Sequence, residues 1–179
     1  MNDIMSFGVH RLWKKYYVKL LEELHKPNEK ILDIASGTGD IFHLLNRSKN
    51  LYAIDPISEM HSISRKKNSK KIIEYETGIV EKMPYRKSYF QTISCTYGVR
   101  NFEDKKKAFS EIERCLKKNG YFLFMEFGTP KRELLLKPYK LYLNDWLPFI
   151  GSIVAKDRHS YKYLAESIQK FPSQRDIIK

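Results

Sequence analysis

The chain has 179 residues, of which 42% are apolar, so it is long enough for one domain with a sizeable core. Its 33 lysines and arginines outnumber its 21 acidic residues and give a net charge of +12. This charge suits a polyanionic partner such as nucleic acid or an anionic membrane surface, although lysines on solvated faces explain most of it without any ligand. The two cysteines, Cys95 and Cys115, exclude a disulfide framework and have no metal-binding spacing. No apolar run approaches the roughly 18 residues of a membrane-spanning helix.

Short strands and helical stretches alternate along the chain. The first element is an amphipathic helix from about Leu12 to Leu24. Its expected apolar face comprises Trp13, Tyr16, Leu20, Leu21 and Leu24. The predicted strands are residues 30–34, 51–55, 72–75, 92–95 and 121–126. The later helices start at Asp40, cover about 57–67, and follow the apolar spacing from Ala108 to Leu116, with Asn119-Gly120 as a stop. This alternation predicts an α/β fold with five parallel strands in the order 3-2-1-4-5.

A glycine turn follows the first strand. The stretch from Ile31 to Asp40 predicts a buried strand, a turn containing Gly37 and Gly39, and then a helix. Phe42 occupies the position where a dinucleotide fingerprint has its third glycine, so the pattern is closer to the D-x-(A/G)-x-G-x-G turn of S-adenosylmethionine (SAM) methyltransferases. Two-glycine turns also occur in loops that bind nothing.

A carboxylate ends the second strand. Asp55 lies about 20 residues beyond the turn, where it is placed to accept hydrogen bonds from both ribose hydroxyls of a nucleoside cofactor. The alternative is a plain turn at the end of the strand, because Pro56 follows. Ligands of such sheets bind beyond the carboxyl ends of the strands, which gathers 37–39, Asp55, 77–80 and 96–101 in one crevice.

Three long motifs resemble one family. The N-terminal stretch from Met1 to Lys14, the block Tyr97-Gly98-Val99-Arg100-Asn101 after strand four, and the C-terminal stretch 147–168 are similar to signatures of the C-methyltransferases of ubiquinone and menaquinone biosynthesis. The resemblance covers essentially the whole chain and implies a Rossmann-like class I SAM-dependent methyltransferase, with SAM as cofactor. It implies a methyl transfer to the ring of a polyprenyl benzoquinol or demethylmenaquinol. Together with the turn, it gives the predicted cofactor-binding residues Asp33, Gly37, Thr38, Gly39, Asp55, Ile79, Val80 and Thr96.

The chain departs from the family pattern at several points. Ile79 stands where family members have Asp or Asn, whose side chain bonds the adenine amino group. Gln91 replaces an Asp before strand four. Family members also continue beyond Lys179 through a helix and an antiparallel strand pair, so the resemblance predicts a sheet that lacks this pair. The resemblance likewise implies a family segment ahead of Met1 that the 179 residues do not include.

Methyl transfer to a ring carbon requires the neighbouring phenol to lose its proton, so a base or a phenolate-stabilising cation is expected. Arg100 and Asn101 are candidates to orient the quinol and stabilise its oxygen. Asp157 and His159 are candidate proton acceptors, with a loop carboxylate and a solvent-facing imidazole as the alternative roles. Tyr97 either packs on the quinol ring or fills the core.

We expect a single methyltransferase domain in three parts. Residues 1–28 form an N-terminal helical cap, 29–128 the SAM-binding core, and 129–179 a helical lid whose apolar side chains and lysines suit an isoprenoid tail beside an anionic membrane. The expected location is the cytoplasm, or the inner membrane as a peripheral protein, on the matrix side in a eukaryote.

The expected partners are a polyprenyl quinol substrate, an anionic membrane surface, and a quinone-biosynthesis complex or a second copy of the chain. Two other functions stay open: a catalytically weak or inactive subunit of a quinone-biosynthesis assembly, and a methyltransferase for another small lipid or phenol. A nucleic-acid methyltransferase is disfavoured because residues 97–101 lack the N/D-P-P-Y block that amino-group methylation of bases commonly uses.

Overall fold

The structure is a computed structural model that describes residues 8–26, 28–47, 49–128, 130, 133–149 and 158–172. Its contacts divide the chain into two compact units, Lys14–Glu126 on one hand and Met1–Trp13 with Phe127–Lys179 on the other. The strands are β1 Ile31–Ile34, β2 Leu51–Asp55, β3 Ile73–Thr77, β4 Phe90–Thr96 and β5 Leu116–Met125. The α-helices are α1 His10–Leu24, α2 Asp40–Leu44, α3 Ser58–Lys67, α4 Lys105–Cys115, α5 Glu133–Leu141 and α6 Arg158–Lys170. Single turns of 3-10 helix are formed by Val80–Lys82 and Val99–Asn101, and a π-helix by Tyr142–Trp146.

The five strands form one parallel sheet in the order β3-β2-β1-β4-β5, as predicted. β1 lies in the centre, with Asp33 opposite Ala53 of β2 and Ser94 of β4. Every residue of β1 and β2 is buried, which explains their continuous apolar runs. The parallel register places the carboxyl ends of all five strands at one edge of the sheet.

The buried face of α1 differs from the predicted one. Trp13 and Tyr16 are exposed, against the prediction, and Lys14 and Tyr17 are buried instead, whereas Leu21 is buried as predicted. The reason is that Tyr17 bonds the sheet directly: its hydroxyl donates to the Leu123 carbonyl at 2.6 Å. One hydrophobic core cluster of the unit Lys14–Glu126 consists of Tyr17, Val18, Leu21, Ile31, Ile41, Phe42, Leu45, Leu51 and Ala53.

Asn119-Gly120 does not stop a helix, so that prediction was wrong. α4 ends at Cys115, and β5 begins at the next residue. Asn119, with a φ of 62°, lies within β5 where the pairing with β4 shifts register, and Gln91 donates from its side-chain amide to the Asn119 carbonyl at 2.9 Å. Gln91 is therefore buried as a support for this irregular strand pair.

The unit formed by Met1–Trp13 with Phe127–Lys179, called the helical unit below, contains α5, the π-helix and α6 in its described part. The π-helix Tyr142–Trp146 contacts both α5 and α6. The buried side chains of this unit include Leu143, Leu147, Tyr161, Leu164 and Ile168. Among the described residues of the whole chain, no helix combines the length and the apolar character needed to cross a membrane.

Candidate active site

The glycine turn after β1 has the conformation that its sequence predicts. Gly37 and Gly39 have φ values of 51° and 71°, in the left-handed region that favours glycine. A Cβ atom on Gly39 would lie 2.0 Å from the Ser64 hydroxyl oxygen of α3, so a side chain has no room there. A Cβ on Gly37 would meet nothing within 4 Å, which shows that the turn opens onto unfilled space at that point.

Asp55 ties the ends of β1 and β2 together. Its carboxylate accepts hydrogen bonds from the Gly37 N–H at 2.8 Å and the Ile57 N–H at 3.0 Å. The second bond is the local turn bond expected of an Asp at a strand end. Each carboxylate oxygen retains acceptor capacity beyond one bond, so supporting the turn and accepting ribose hydroxyls are compatible roles.

Asp33 is buried inside the sheet. It is 1% exposed and accepts a hydrogen bond from the Ser94 hydroxyl of β4. Burial raises the pKa of its carboxyl to about 7, and the charges of Asp55 and Asp40 act in the same direction, whereas Ser94 and Lys14 lower it. Asp33 therefore links the first strand to the fourth directly behind the turn.

The loops after β3 and β4 join the same edge. The Gly78 N–H donates to the Asp55 carbonyl at 3.2 Å, which brings the loop carrying Ile79 next to the second strand. Ile79 is half exposed while Val80 is buried. Thr96 ends β4 and is partly buried. These predicted cofactor residues therefore lie at the same edge of the sheet as the turn, and their contacts with a cofactor stay a prediction.

Arg100 forms a buried ion pair with Glu126, which follows β5. The two side chains are 6% and 3% exposed, and Glu126 also accepts the Arg100 backbone N–H at 3.3 Å. The guanidinium donates to the Tyr97 carbonyl at 2.7 Å. Asn101 lies at the end of the same 3-10 helix and is exposed. The arrangement holds a charged guanidinium group at the carboxyl ends of β4 and β5.

The loop after β4 packs closely against the glycine turn. A Cβ on Gly98 would lie 2.6 Å from the Ala35 Cβ and 2.9 Å from the Cys95 sulfur. Only glycine permits this approach, which makes the turn after β1 and the Arg100 loop direct neighbours. Tyr97 is buried, and its hydroxyl points to the Met125 sulfur at 3.8 Å, so it fills the core in this structure. Burial raises the pKa of the Tyr97 hydroxyl, and the Glu126 charge adds to this effect.

Of the two predicted proton acceptors, the structure describes only His159, which belongs to the unit that does not contain the sheet. His159 is exposed near the start of α6 and lines a cleft with Asn144, Pro148 and Lys162. Asp157 lies outside the described residues. The roles assigned to both remain predictions.

The residues at this edge fit SAM. Ser36 is buried within the turn, and its hydroxyl has no hydrogen-bond partner among the described residues, as expected for a group awaiting a polar ligand. Asp55 suits ribose hydroxyls, and the half-exposed apolar side chains of Ile57 and Ile79 suit an adenine ring. Gly37 leaves space for close approach of a ligand to the backbone.

Three site-edge residues were missed by the sequence reasoning. Glu126, as the partner of Arg100, gives no local signal because its partner is 26 positions away. Lys14, whose side chain is buried, forms an ion pair beside the turn with the partly exposed Asp40. Lys14 lies four residues before the buried Val18, so the helical period places both on the face that α1 buries. This spacing was the sequence signal for Lys14.

The parallel sheet, the glycine turn after its first strand and the carboxylate after its second define a class I SAM-dependent methyltransferase. A solved SAM-dependent methyltransferase from Thermotoga maritima superimposes with a TM-score of 0.57 at 25% identity, covering 77% of this chain and 62% of that one. The sequence profile described as the ubiE/COQ5 methyltransferase family matches residues 1–179. The chain belongs to this family, and SAM is its methyl donor.

Named relatives match over the same range. The ubiquinone/menaquinone biosynthesis C-methyltransferase UbiE of Wigglesworthia glossinidia brevipalpis is 42% identical over 187 residues, covering 100% of this chain and 74% of that protein. The UbiE protein of Shewanella frigidimarina is 38% identical, covering 99% of this chain and 73% of that protein. The resemblance found in the three sequence motifs is thus confirmed.

Proposed function

We propose that this chain transfers the methyl group of SAM to a ring carbon of a polyprenyl benzoquinol or demethylmenaquinol in ubiquinone or menaquinone biosynthesis. The observation that carries the proposal is the buried Arg100–Glu126 pair on a loop that packs against the glycine turn. This arrangement places the guanidinium of Arg100 and the glycine turn at the same edge of the sheet. The names of the relatives supply the substrate class.

Bound SAM supplies an electrophilic methyl group on a sulfonium. The protein must hold the ring carbon in line with that methyl group and make the carbon nucleophilic. Because a guanidinium does not lose its proton in proteins, Arg100 acts by stabilising the phenolate rather than by removing the proton. The new carbon–carbon bond would replace the bond between the methyl group and sulfur, and the phenol proton and the displaced ring proton would pass to water. Glu126 keeps the guanidinium in place, and Asn101 lies one residue further along the loop to orient the ring oxygen.

Methyl-transfer assays test this function. Short-tailed benzoquinols and demethylmenaquinols are incubated with SAM and the chain, and the methylated ring is quantified by mass spectrometry. We expect saturable transfer to one of the two ring types. A folded chain that binds S-adenosylhomocysteine but methylates neither ring would overturn the proposal and favour the inactive-subunit or other-phenol alternatives.

A matched pair of arginine variants tests the role of Arg100. Arg100→Lys keeps a positive charge beside Glu126 but loses the planar fork of the guanidinium. We expect at least a tenfold lower transfer rate, with S-adenosylhomocysteine affinity within twofold. Arg47→Lys is the control, because Arg47 donates to the Glu29 carbonyl just before β1, at the end of the sheet opposite the predicted crevice. An equal loss in both variants would contradict a specific role for Arg100.

We further propose that the helical unit contacts an anionic membrane surface, where a polyprenyl substrate resides. Leu134 and Leu141, two turns apart on α5, are 87% and 56% exposed. Lys137 lies between them on the same face, and Trp146 is also exposed. Apolar side chains flanked by lysines are the composition of interfacial helices.

Vesicle co-sedimentation tests this contact. The chain should bind phosphatidylglycerol-containing vesicles, bind pure phosphatidylcholine vesicles less, and lose binding in the double variant Leu134→Ser/Leu141→Ser. The control is Ile72→Ser, because Ile72 is 72% exposed next to Lys71 but lies in the sheet unit. Binding that the α5 variant leaves unchanged would contradict the proposed surface.

A further inference from the structure

Lys14 is a buried lysine beside the glycine turn. Its side chain is 9% exposed, and its ammonium group pairs with Asp40, the first residue of α2. Two neighbouring lysines on the same helix behave differently: Lys15 is exposed, and the Lys19 side chain is 73% exposed. Because lysine is seldom buried without a reason, the position of Lys14 calls for a specific role.

Two ammonium groups pair with the single carboxylate of Asp40. Lys67 of α3 pairs with its second oxygen, so two ammonium groups converge on one carboxylate directly after Gly39. The Thr38 hydroxyl donates to the same carboxylate at 3.2 Å, which connects the ion cluster to the turn itself. Burial alone would raise the pKa of Asp40, but the two lysines outweigh it and hold that pKa well below its ordinary value.

The cluster complements the amino-acid end of SAM, which carries one carboxylate and one ammonium group. An ammonium has three N–H donors, so Lys14 can hold Asp40 and a second carboxylate together. We propose that Lys14 binds the carboxylate of the cofactor's amino-acid end and that Asp40 binds its ammonium group. Lys67 then keeps Asp40 in position from the other side. This inference rests on SAM as the methyl donor and is independent of the methyl acceptor.

Calorimetric titration with two ligands tests the inference. S-adenosylhomocysteine carries the amino-acid carboxylate, whereas decarboxylated S-adenosylhomocysteine lacks only that group. The wild-type chain should bind the first at least tenfold more tightly than the second. In Lys14→Met, which keeps an apolar side chain of similar length, affinity for S-adenosylhomocysteine should fall at least tenfold, while affinity for the decarboxylated ligand should stay within twofold.

The control variant is Lys19→Met, which removes an exposed lysine from the same helix and should bind both ligands like the wild type. Equal weakening of both ligands by Lys14→Met would overturn the proposal and leave Lys14 a structural role only. The wild-type comparison keeps the test decisive if Lys14→Met does not fold, because equal affinity for the two ligands overturns the proposal by itself. A wild-type chain that discriminates between the two ligands but methylates no quinol would instead contradict the proposed function.

Discussion

The glycine turn after β1 and the Arg100 loop after β4 are neighbours that are held in different ways. The turn is held by bonds from main-chain N–H groups to one side chain, because the Asp55 carboxylate accepts from Gly37 and Ile57. The Arg100 loop is held by an ion pair between two buried side chains. The turn therefore leaves its open face to a ligand, whereas the loop depends on one charge and its partner. The two regions should respond differently to substitution.

The largest effect is expected from breaking the Arg100–Glu126 pair. Arg100→Met removes the cation beside a carboxylate that is 3% exposed, and such a change costs about 3–5 kcal/mol in the free energy of unfolding. Urea denaturation measures it. The double variant Arg100→Met/Glu126→Leu should recover most of the loss, because neither charge is then buried alone.

The same double variant separates folding from chemistry. If Arg100 stabilises the phenolate, the double variant should bind S-adenosylhomocysteine like the wild type but transfer methyl groups at least a hundredfold more slowly. A single variant that loses under about 1 kcal/mol would show that the pair does not hold the loop.

A smaller effect is expected within the glycine turn. Gly39→Ala adds a methyl group against the Ser64 hydroxyl at a φ of 71° and should cost about 2–3 kcal/mol in unfolding free energy. Gly37→Ala meets no atom and should cost about 1 kcal/mol from backbone strain. Its methyl group enters the open side of the turn, so S-adenosylhomocysteine affinity should fall about tenfold.

Urea denaturation and calorimetric titration of both glycine variants should rank them in opposite orders. The more destabilised variant should be Gly39→Ala, and the more strongly binding-impaired folded variant should be Gly37→Ala. The same ranking in both measurements would contradict the view that the turn has one packed side and one ligand side.

The sequence predicted the turn region better than the Arg100 loop for a physical reason. The strand order, the positive φ values at Gly37 and Gly39 and the carboxylate after β2 follow from local patterns: apolar runs, glycines and their spacing. The pairing of Arg100 with Glu126 depends on how β4 and β5 lie side by side, and no local pattern encodes it.

Two local predictions failed because tertiary contacts outweighed propensity. On α1, the periodicity placed Trp13 and Tyr16 inside, but the bonds of the Tyr17 hydroxyl rotate the helix so that Lys14 is buried instead. Asn119-Gly120 has the composition of a helix stop, but Gln91 binds the Asn119 carbonyl within β5. In both places hydrogen bonds between residues far apart in the sequence changed the role of a whole segment.

The smallest predicted effect concerns Asp33. Its bond to Ser94 connects β1, which leads into the glycine turn, with β4, which leads into the Arg100 loop. Its carboxyl has a pKa of about 7 in the folded chain because of burial, against an ordinary value of 3.8. Between these values the folded state keeps a proton that the unfolded state releases. The contribution of Asp33 to stability is therefore complete below about pH 4 and is lost as the pH rises through about 7.

Asp33→Asn isolates this contribution. Its amide stays neutral and can still accept the Ser94 bond, so the wild type should lose about 1 kcal/mol relative to the variant between about pH 6 and pH 7. His25 acts in the opposite direction, since burial lowers its pKa to about 4, but it is present in both proteins and cancels in the difference. Urea denaturation of both chains over this range measures it. A constant difference across the range would mean that Asp33 is already ionised in the folded sheet, and that its charge is balanced by Lys14 beside the turn.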